Sequence, residues 1–135
     1  MTVAGAPSPA MVRAWTRTLL SKAGSKRASV SILLCGDTRM KTLNHEFRSV
    51  DGPTDVLSFP SGEKGFLGDL VIDAPYAARQ ARRRGHAVSR EVRILLAHGL
   101  LHLQGYDHET DDGTMFRLQR RLILAAFGPG PDGVP

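Results

Sequence analysis

The stretch His98-Gly-Leu-Leu-His102-Leu-Gln-Gly105-Tyr-Asp-His108 holds three of the five histidines of this 135-residue chain. The apolar residues around it predict a buried helix, on which His98 and His102 share a face because four residues are slightly more than one turn. Gly105 is expected to end this helix, since glycine adopts the left-handed conformation without a Cβ clash, and to let His108 return toward the other two. Three converging imidazoles are typical of a zinc site with an open fourth position.

Histidines in this arrangement also have two competing interpretations. Single histidines in apolar helices are usually hydrogen-bonded core or surface residues, although three at this spacing favour a metal. The spacing also matches the zinc-peptidase pattern H-E-x-x-H-x-x-G-x-x-H at every position except Gly99, which stands where those enzymes carry a glutamate as general base. Without that carboxylate the peptidase alternative loses the group that would move the proton.

Three segments of the chain together resemble one known family. The stretch from His98 to His108 is similar to the signature of the YbeY family, bacterial metal-dependent endoribonucleases of ribosomal RNA maturation. Asn44-His-Glu-Phe-Arg48-Ser-Val-Asp-Gly-Pro-Thr-Asp-Val-Leu-Ser-Phe-Pro60 resembles a second hallmark, an arginine upstream of P-T-D-V-L-S-F-P. Gly68-Asp-Leu-Val-Ile72 is similar to a third. The segments occur in the family's order, and the resemblance covers roughly residues 28 to 124.

The resemblance implies both a site and a function. The family's metal ligands fall on His98, His102 and His108, with one zinc ion expected, and Arg48 and His98 are the catalytic residues. The implied activity is single-strand-specific cleavage of RNA in ribosomal RNA processing, including 3′-end maturation of the small-subunit RNA, and in ribosome quality control. Single-stranded RNA, ribosomal RNA and ribosomal proteins are the implied partners.

An alternative without catalysis stays open from the residues alone. A ribosome-binding assembly factor could use the same histidines for a purely structural metal. Arg48 could likewise be an ordinary arginine at a helix C-terminus, where the helix dipole favours a cation. In the nuclease interpretation, its guanidinium instead contacts a phosphate oxygen beside the metal.

Composition restricts the class of protein. The length suits one domain with a modest core, and the net charge of +5 suits a polyanionic partner as well as any basic soluble protein. The single cysteine, Cys35, excludes an intramolecular disulfide and is expected in the core rather than as a nucleophile. With no signal peptide and no apolar run of membrane-spanning length, we expect a cytoplasmic protein without a membrane partner.

Periodicity and turn signals predict an α+β fold with a small mixed sheet packed against helices. The expected single domain spans residues 1–127, and residues 128–135 are expected to form a disordered tail. The predicted helices cover about 9–22, 37–47, 74–84, the stretch before Gly105, and 114–127. The predicted strands cover 29–34, 55–59, closed by Pro60, and 66–72.

Four expectations concern individual side chains. Met11 and Phe47 are predicted to lie on the buried faces of their helices. Asp69 either faces outward from its strand or orients a ligand histidine. Glu91, two turns before His98, is a candidate for a similar supporting role. A run of arginines, Arg82–Arg84, is either a solvated helix end or, with Arg79, Arg90 and Arg93, a phosphate-binding patch.

Overall fold

A computed structural model describes residues 5–107 and 112–129 of the chain. Within these two ranges, five helices and three strands follow one another in the predicted order, which confirms the α+β class. Among these residues no helix combines the length and the apolar character needed to cross a membrane. The elements are α1 (Pro9–Lys22), β1 (Ser29–Cys35), α2 (Asp37–Arg48), β2 (Val56–Glu63), β3 (Phe66–Asp73), α3 (Ala74–Arg84), α4 (Val88–Leu103) and α5 (Thr114–Phe127).

The three strands form one mixed sheet in the order β1-β3-β2. β3 is the central strand: it runs parallel to β1 and antiparallel to β2. Both faces of the second half of β3 are covered, and Leu70, Val71 and Ile72 are all buried. Such a continuous apolar run is what a strand covered on both sides requires.

Helix α4 is the centre of the core, because it is buried nearly all round as its sequence predicts. It packs against β2 and β3 on one side and against α1, α3 and α5 on the others. Gly99 lies close to the sheet: a Cβ there would lie 2.7 Å from Leu70 Cδ2 and 3.2 Å from Cδ1. A larger side chain at this position, such as the glutamate of the peptidase pattern, would therefore require the buried Leu70 side chain to move.

Local signals place most helix ends correctly. Ser8 accepts a hydrogen bond from the amide of Met11, and Asp73 accepts one from the amide of Tyr76, each in front of a proline in the first turn. Gly85 ends α3 with a φ of 72°. These side-chain and glycine caps act within one turn of the chain, so the sequence alone is enough to predict them.

Strand β2 is longer than predicted, since it continues through Pro60 to Glu63. The prediction that Pro60 closes the strand was wrong because β2 lies at the edge of the sheet, where a residue without an amide hydrogen is tolerated. The strand register pairs Pro60 with Gly68 of β3, where an added Cβ would lie 2.1 Å from the carbonyl oxygen of Phe59. Glycine permits this close approach.

Two predicted core residues are exposed. Met11 is 46% exposed, because α1 turns a face with Val12 and Thr16 toward the core. Phe47 is 61% exposed, because the buried face of α2 carries Met40 and Asn44 instead. The observed faces still overlap the apolar ones, since Val12, Leu19 and Leu20 of α1 and Met40 of α2 are buried.

The remaining expectations about the chain ends stay predictions. Helix α5 ends at Phe127, and Gly128 and Pro129 are the last described residues. Residues 1–4 and 130–135 lie outside the described residues, so the domain start at residue 1 and the disordered tail are not tested.

Candidate active site

A cavity of about 610 Å³ opens between α4 and the segment that joins α2 to β2. His98 and His102 line it from α4, and Arg48 lines it from the end of α2. Thr54 and Ser58, from the P-T-D-V-L-S-F-P segment, complete part of the opposite wall. The fold therefore brings two of the three motifs, about fifty residues apart in the chain, onto one cavity.

The two described histidines lie side by side, as the spacing predicts. Their ring centroids are 4.7 Å apart and the ring planes are nearly perpendicular, at 82°. The imidazole ring of His98 is held by a hydrogen bond to α5, because its Nδ1 lies 2.8 Å from Oε1 of Gln119. Imidazoles that share one helix face and have a ring nitrogen fixed by an amide oxygen form a donor set that fits a zinc-type transition metal.

Gly105 ends the histidine helix as predicted. Its φ is 103°, its amide donates to the carbonyl of His102, and the amide of Tyr106 donates to the carbonyl of Leu101. His108 lies outside the described residues, so its role as the third ligand stays a prediction. Within residues 5–107 and 112–129, no three histidine, cysteine or acidic side chains come together in a way that could hold a metal ion.

Arg48 is the last residue of α2, and its side chain turns toward β2. Its Nη2 donates to the carbonyl oxygen of Ser58 over 3.2 Å. The chain reverses immediately afterwards at Ser49, which adopts the left-handed conformation with a φ of 55°. The guanidinium is thus anchored by one hydrogen bond at the cavity wall, where its further N–H groups give it the donors that a phosphate requires.

Asn44 is a residue of this site that the sequence did not reveal. It is buried, it lines the cavity, and its Nδ2 donates to the carbonyl oxygen of Gly52 over 2.9 Å. This bond ties α2 to the turn that follows Arg48. Its position four residues before Arg48, on the same helix face, is the signal that could have identified it.

Glu91 does not support a ligand histidine, so that expectation was wrong. The side chain is fully buried and accepts from Arg84 Nη1 at 2.8 Å and from Gln80 Nε2 at 3.0 Å, and it pairs with His86 Nε2 at 2.6 Å. Gln80 also donates to Oδ2 of Asp55, at 3.1 Å, and Asp55 lines the cavity. Glu91 therefore joins α3 to α4 and, through Gln80, supports the start of β2.

Asp69 faces outward from β3 and is exposed, so the first of its two interpretations is correct. The predicted arginine patch is largely engaged within the protein. Arg79 forms a bidentate salt bridge with Asp37, and Arg84 forms a salt bridge with Glu91. The guanidinium of Arg93 lies over the aromatic rings of Trp15 and Phe127. Of this group, Arg82 and Arg83 remain as exposed cations at the end of α3.

Two groups away from the cavity, the buried Asp73 and the partly buried Cys35, have raised pKa values. Burial, reinforced by the neighbouring Asp37 carboxyl, raises the pKa of Asp73 to about 7. The hydrogen bonds from Arg79, in contrast, lower the pKa of Asp37. Burial raises the pKa of the Cys35 thiol to about 11, so the thiol is protonated at neutral pH. This agrees with a packing role for Cys35 rather than a nucleophilic one.

An α+β domain with a polar cavity that combines an arginine with a pair of histidines defines a class of protein suited to phosphodiester chemistry. The family model of endoribonuclease YbeY matches residues 6–127. An endoribonuclease YbeY of Solibacter usitatus is 48% identical over 102 residues, which are 76% of this chain and 69% of that protein. One of Aquifex aeolicus is 44% identical over 120 residues, 84% of this chain and 80% of that protein.

A solved structure agrees with these relatives. The solution structure of a Thermotoga maritima protein superposes with a TM-score of 0.68 at 28% identity, covering 90% of this chain and 85% of that one. The chain belongs to the YbeY family of endoribonucleases. The family that the three motifs indicated, and the expectation of an enzyme that cuts RNA, are confirmed.

Proposed function

We propose that this endoribonuclease is metal-dependent, cuts single-stranded RNA and acts in ribosomal RNA processing, including 3′-end maturation of the small-subunit RNA and ribosome quality control. One observation carries the proposal: Arg48 and the pair His98 and His102 line the same cavity from different elements. A volume of about 610 Å³ lies in the range of small-ligand sites, so it accommodates one nucleotide of an unpaired strand.

The metal of this proposal is one zinc ion held by His98, His102 and His108. The support is the donor set: two adjacent imidazoles on one helix face, followed by a helix end that redirects the chain toward a third histidine. When bound at such a site, a zinc ion supplies Lewis-acid stabilisation of phosphoryl oxygens and lowers the pKa of water. In this proposal His98 has two roles, as a metal ligand and, with Arg48, as a catalytic residue.

Arg48 supplies the cation that recognises the phosphate. Its planar guanidinium can donate two parallel hydrogen bonds to a phosphate while the bond to Ser58 keeps it at the cavity wall. Donors fixed in advance stabilise charge that develops on the phosphate in the transition state without having to reorganise. Exposed cations such as Arg82 and Arg83 would hold the strand outside the cavity, so binding should weaken as salt rises.

The site of action in this proposal is the assembling ribosome in the cytoplasm. The support is the resemblance of the three motifs to a family of ribosomal RNA maturation, together with the net charge of +5. A basic protein is drawn to RNA-rich particles by counterion release, independently of sequence. Association with ribosomal proteins would then place the cavity at its cleavage site.

Cleavage of an end-labelled single-stranded precursor of small-subunit ribosomal RNA tests the proposal. The protein as purified is compared with His102→Ala and Arg48→Ala. His45→Ala is the matched control, because His45 is exposed, lies outside the cavity wall and pairs with the exposed Asp51. We expect cleavage by the parent and His45→Ala, loss in His102→Ala and strong reduction in Arg48→Ala. Equal cleavage by all four proteins would contradict a catalytic role for this cavity.

Removal and return of metal test the cofactor. A chelator should abolish cleavage, and zinc added back in slight excess should restore it in the parent but not in His102→Ala. The RNA ends identify the attacking oxygen: a 2′,3′-cyclic phosphate indicates the RNA's own 2′-hydroxyl, whereas its absence from the first product indicates water. Full cleavage in the chelated protein would refute metal dependence.

A further inference from the structure

Gln119 lies outside all three segments that carry the family resemblance, yet it contacts His98. It belongs to α5, and its Oε1 lies 2.8 Å from Nδ1 of His98 on α4. The two residues are 21 positions apart in the chain. The hydrogen bond therefore joins a second helix to the ring of His98, and it reaches the ring on the nitrogen nearer the backbone.

The backbone of Gln119 is held in place by core contacts one turn away on either side. Met115 is fully buried and Leu122 is 6% exposed, and both belong to the core cluster that includes α4. Residues four before and three after a helical position lie on its face. Gln119 therefore points toward α4 from a rigid part of α5, rather than from a loop.

The hydrogen bond determines which nitrogen of His98 can bind a metal. If the amide oxygen of Gln119 accepts, then Nδ1 carries the hydrogen and Nε2 carries the lone pair. If the amide were turned round, its NH₂ group would donate to Nδ1, and Nε2 would carry the hydrogen. Only the first arrangement leaves the neutral ring able to ligate through Nε2. The geometry has the oxygen toward the ring.

We propose that Gln119 is a positioning residue of the metal site: its side-chain oxygen holds His98 in the Nδ1–H tautomer and fixes the ring orientation for ligation through Nε2. The inference rests on the proposed metal-dependent function. It assigns a role to α5, which packs behind the site and supplies no ligand. Removing the hydrogen-bond partner of a metal-ligating histidine typically lowers metal affinity about 10- to 100-fold.

Two substitutions at this position separate the hydrogen bond from packing. Gln119→Met keeps the length and removes the strong acceptor, whereas Gln119→Glu keeps an oxygen and can only accept. We expect zinc affinity, measured by competition with a chromogenic chelator, to fall about 10- to 100-fold in Gln119→Met. Gln119→Glu should bind zinc at least as tightly as the parent. Arg120→Met, on the exposed neighbouring position, is the matched control and should leave the affinity unchanged.

A spectroscopic measurement tests the tautomer without any metal or activity. In protein labelled with ¹⁵N-histidine and freed of metal, the His98 ring should show a protonated Nδ1 and an unprotonated Nε2 at pH 8 in the parent. Gln119→Met should lose this preference, while its thermal unfolding midpoint stays within a few degrees of the parent's.

The outcomes distinguish this inference from the proposed function. Parent-like zinc affinity in Gln119→Met, or equally weak binding in Gln119→Glu and Gln119→Met, overturns the role of Gln119 and leaves the metal site intact. A protonated Nε2 in the metal-free parent also overturns it. If the parent binds zinc no more tightly than His102→Ala, the proposed metal site itself fails, and the role of Gln119 fails with it.

Discussion

Replacing Gly99 by alanine tests whether the contact between α4 and the sheet is as close as the structure shows. At an exposed helical position, glycine to alanine stabilises by about 1 kcal/mol through helix propensity. Here the new Cβ would lie 2.7 Å from Leu70 Cδ2, well inside van der Waals contact, and Leu70 is fully buried. Overpacking of a core typically costs about 1–3 kcal/mol. The two effects together predict a net loss of stability of about 0–2 kcal/mol.

The second arm of this test is the variant Leu70→Val, which removes both Cδ atoms from the contact. Alone, it should destabilise by about 1 kcal/mol, as buried deletions of one methylene do. In that background, Gly99→Ala should become stabilising, by about 1 kcal/mol, because only the helix propensity remains. The four proteins thus form a double-mutant cycle with a favourable coupling of about 1–3 kcal/mol.

Urea unfolding of the four metal-free proteins measures the cycle, since removing metal keeps ligand binding from contributing. The m-value should stay constant across the set. If Gly99→Ala alone is about 1 kcal/mol more stable than the parent and the effects add without coupling, the close approach of α4 to Leu70 is refuted.

Three further predictions concern charged groups. Arg48→Lys should lower the single-turnover rate of RNA cleavage about 10²- to 10³-fold, because one ammonium cannot replace the two parallel N–H donors of the guanidinium. A rate within a factor of two of the parent's would contradict the role of Arg48. Glu91→Ala should reduce the free energy of unfolding in urea by about 3 kcal/mol or more, because it removes the acceptor of the buried His86 ring and one of the two acceptors of the Gln80 amide. Unchanged unfolding would contradict the network. Asp73 has a folded-state pKa of about 7, above its unfolded value of 3.8. Its contribution to stability is therefore present below about pH 4 and lost as pH rises to about 7, so the unfolding midpoint of the parent should fall between pH 4 and 7 relative to Asp73→Asn, which keeps the helix cap. Parallel pH profiles of the two proteins would rule this out.

Most helix boundaries were predictable because the chemistry that sets them is local. A capping serine or aspartate before a proline, and a glycine with positive φ at a helix end, act within one turn of chain. Burial was less predictable, because it depends on which neighbours arrive. Phe47 is apolar but exposed, while Glu91 is charged but fully buried, because Glu91 meets partners on the neighbouring helix α3. The continuation of β2 through Pro60 likewise depends on the strand being at the edge of the sheet.

The site divides in the same way between sequence and tertiary structure. The shared helix face of His98 and His102, the end of their helix at Gly105 and the helix end at Arg48 were predictable, because each follows from the geometry of a single helix. The meeting of the end of α2 with the face of α4 at one cavity was not predictable, nor was the contact of Gln119 of α5 with His98. Helices and strands remote in sequence meet through the packing of their side chains. Which faces meet is a property of the assembled core and not of any one segment.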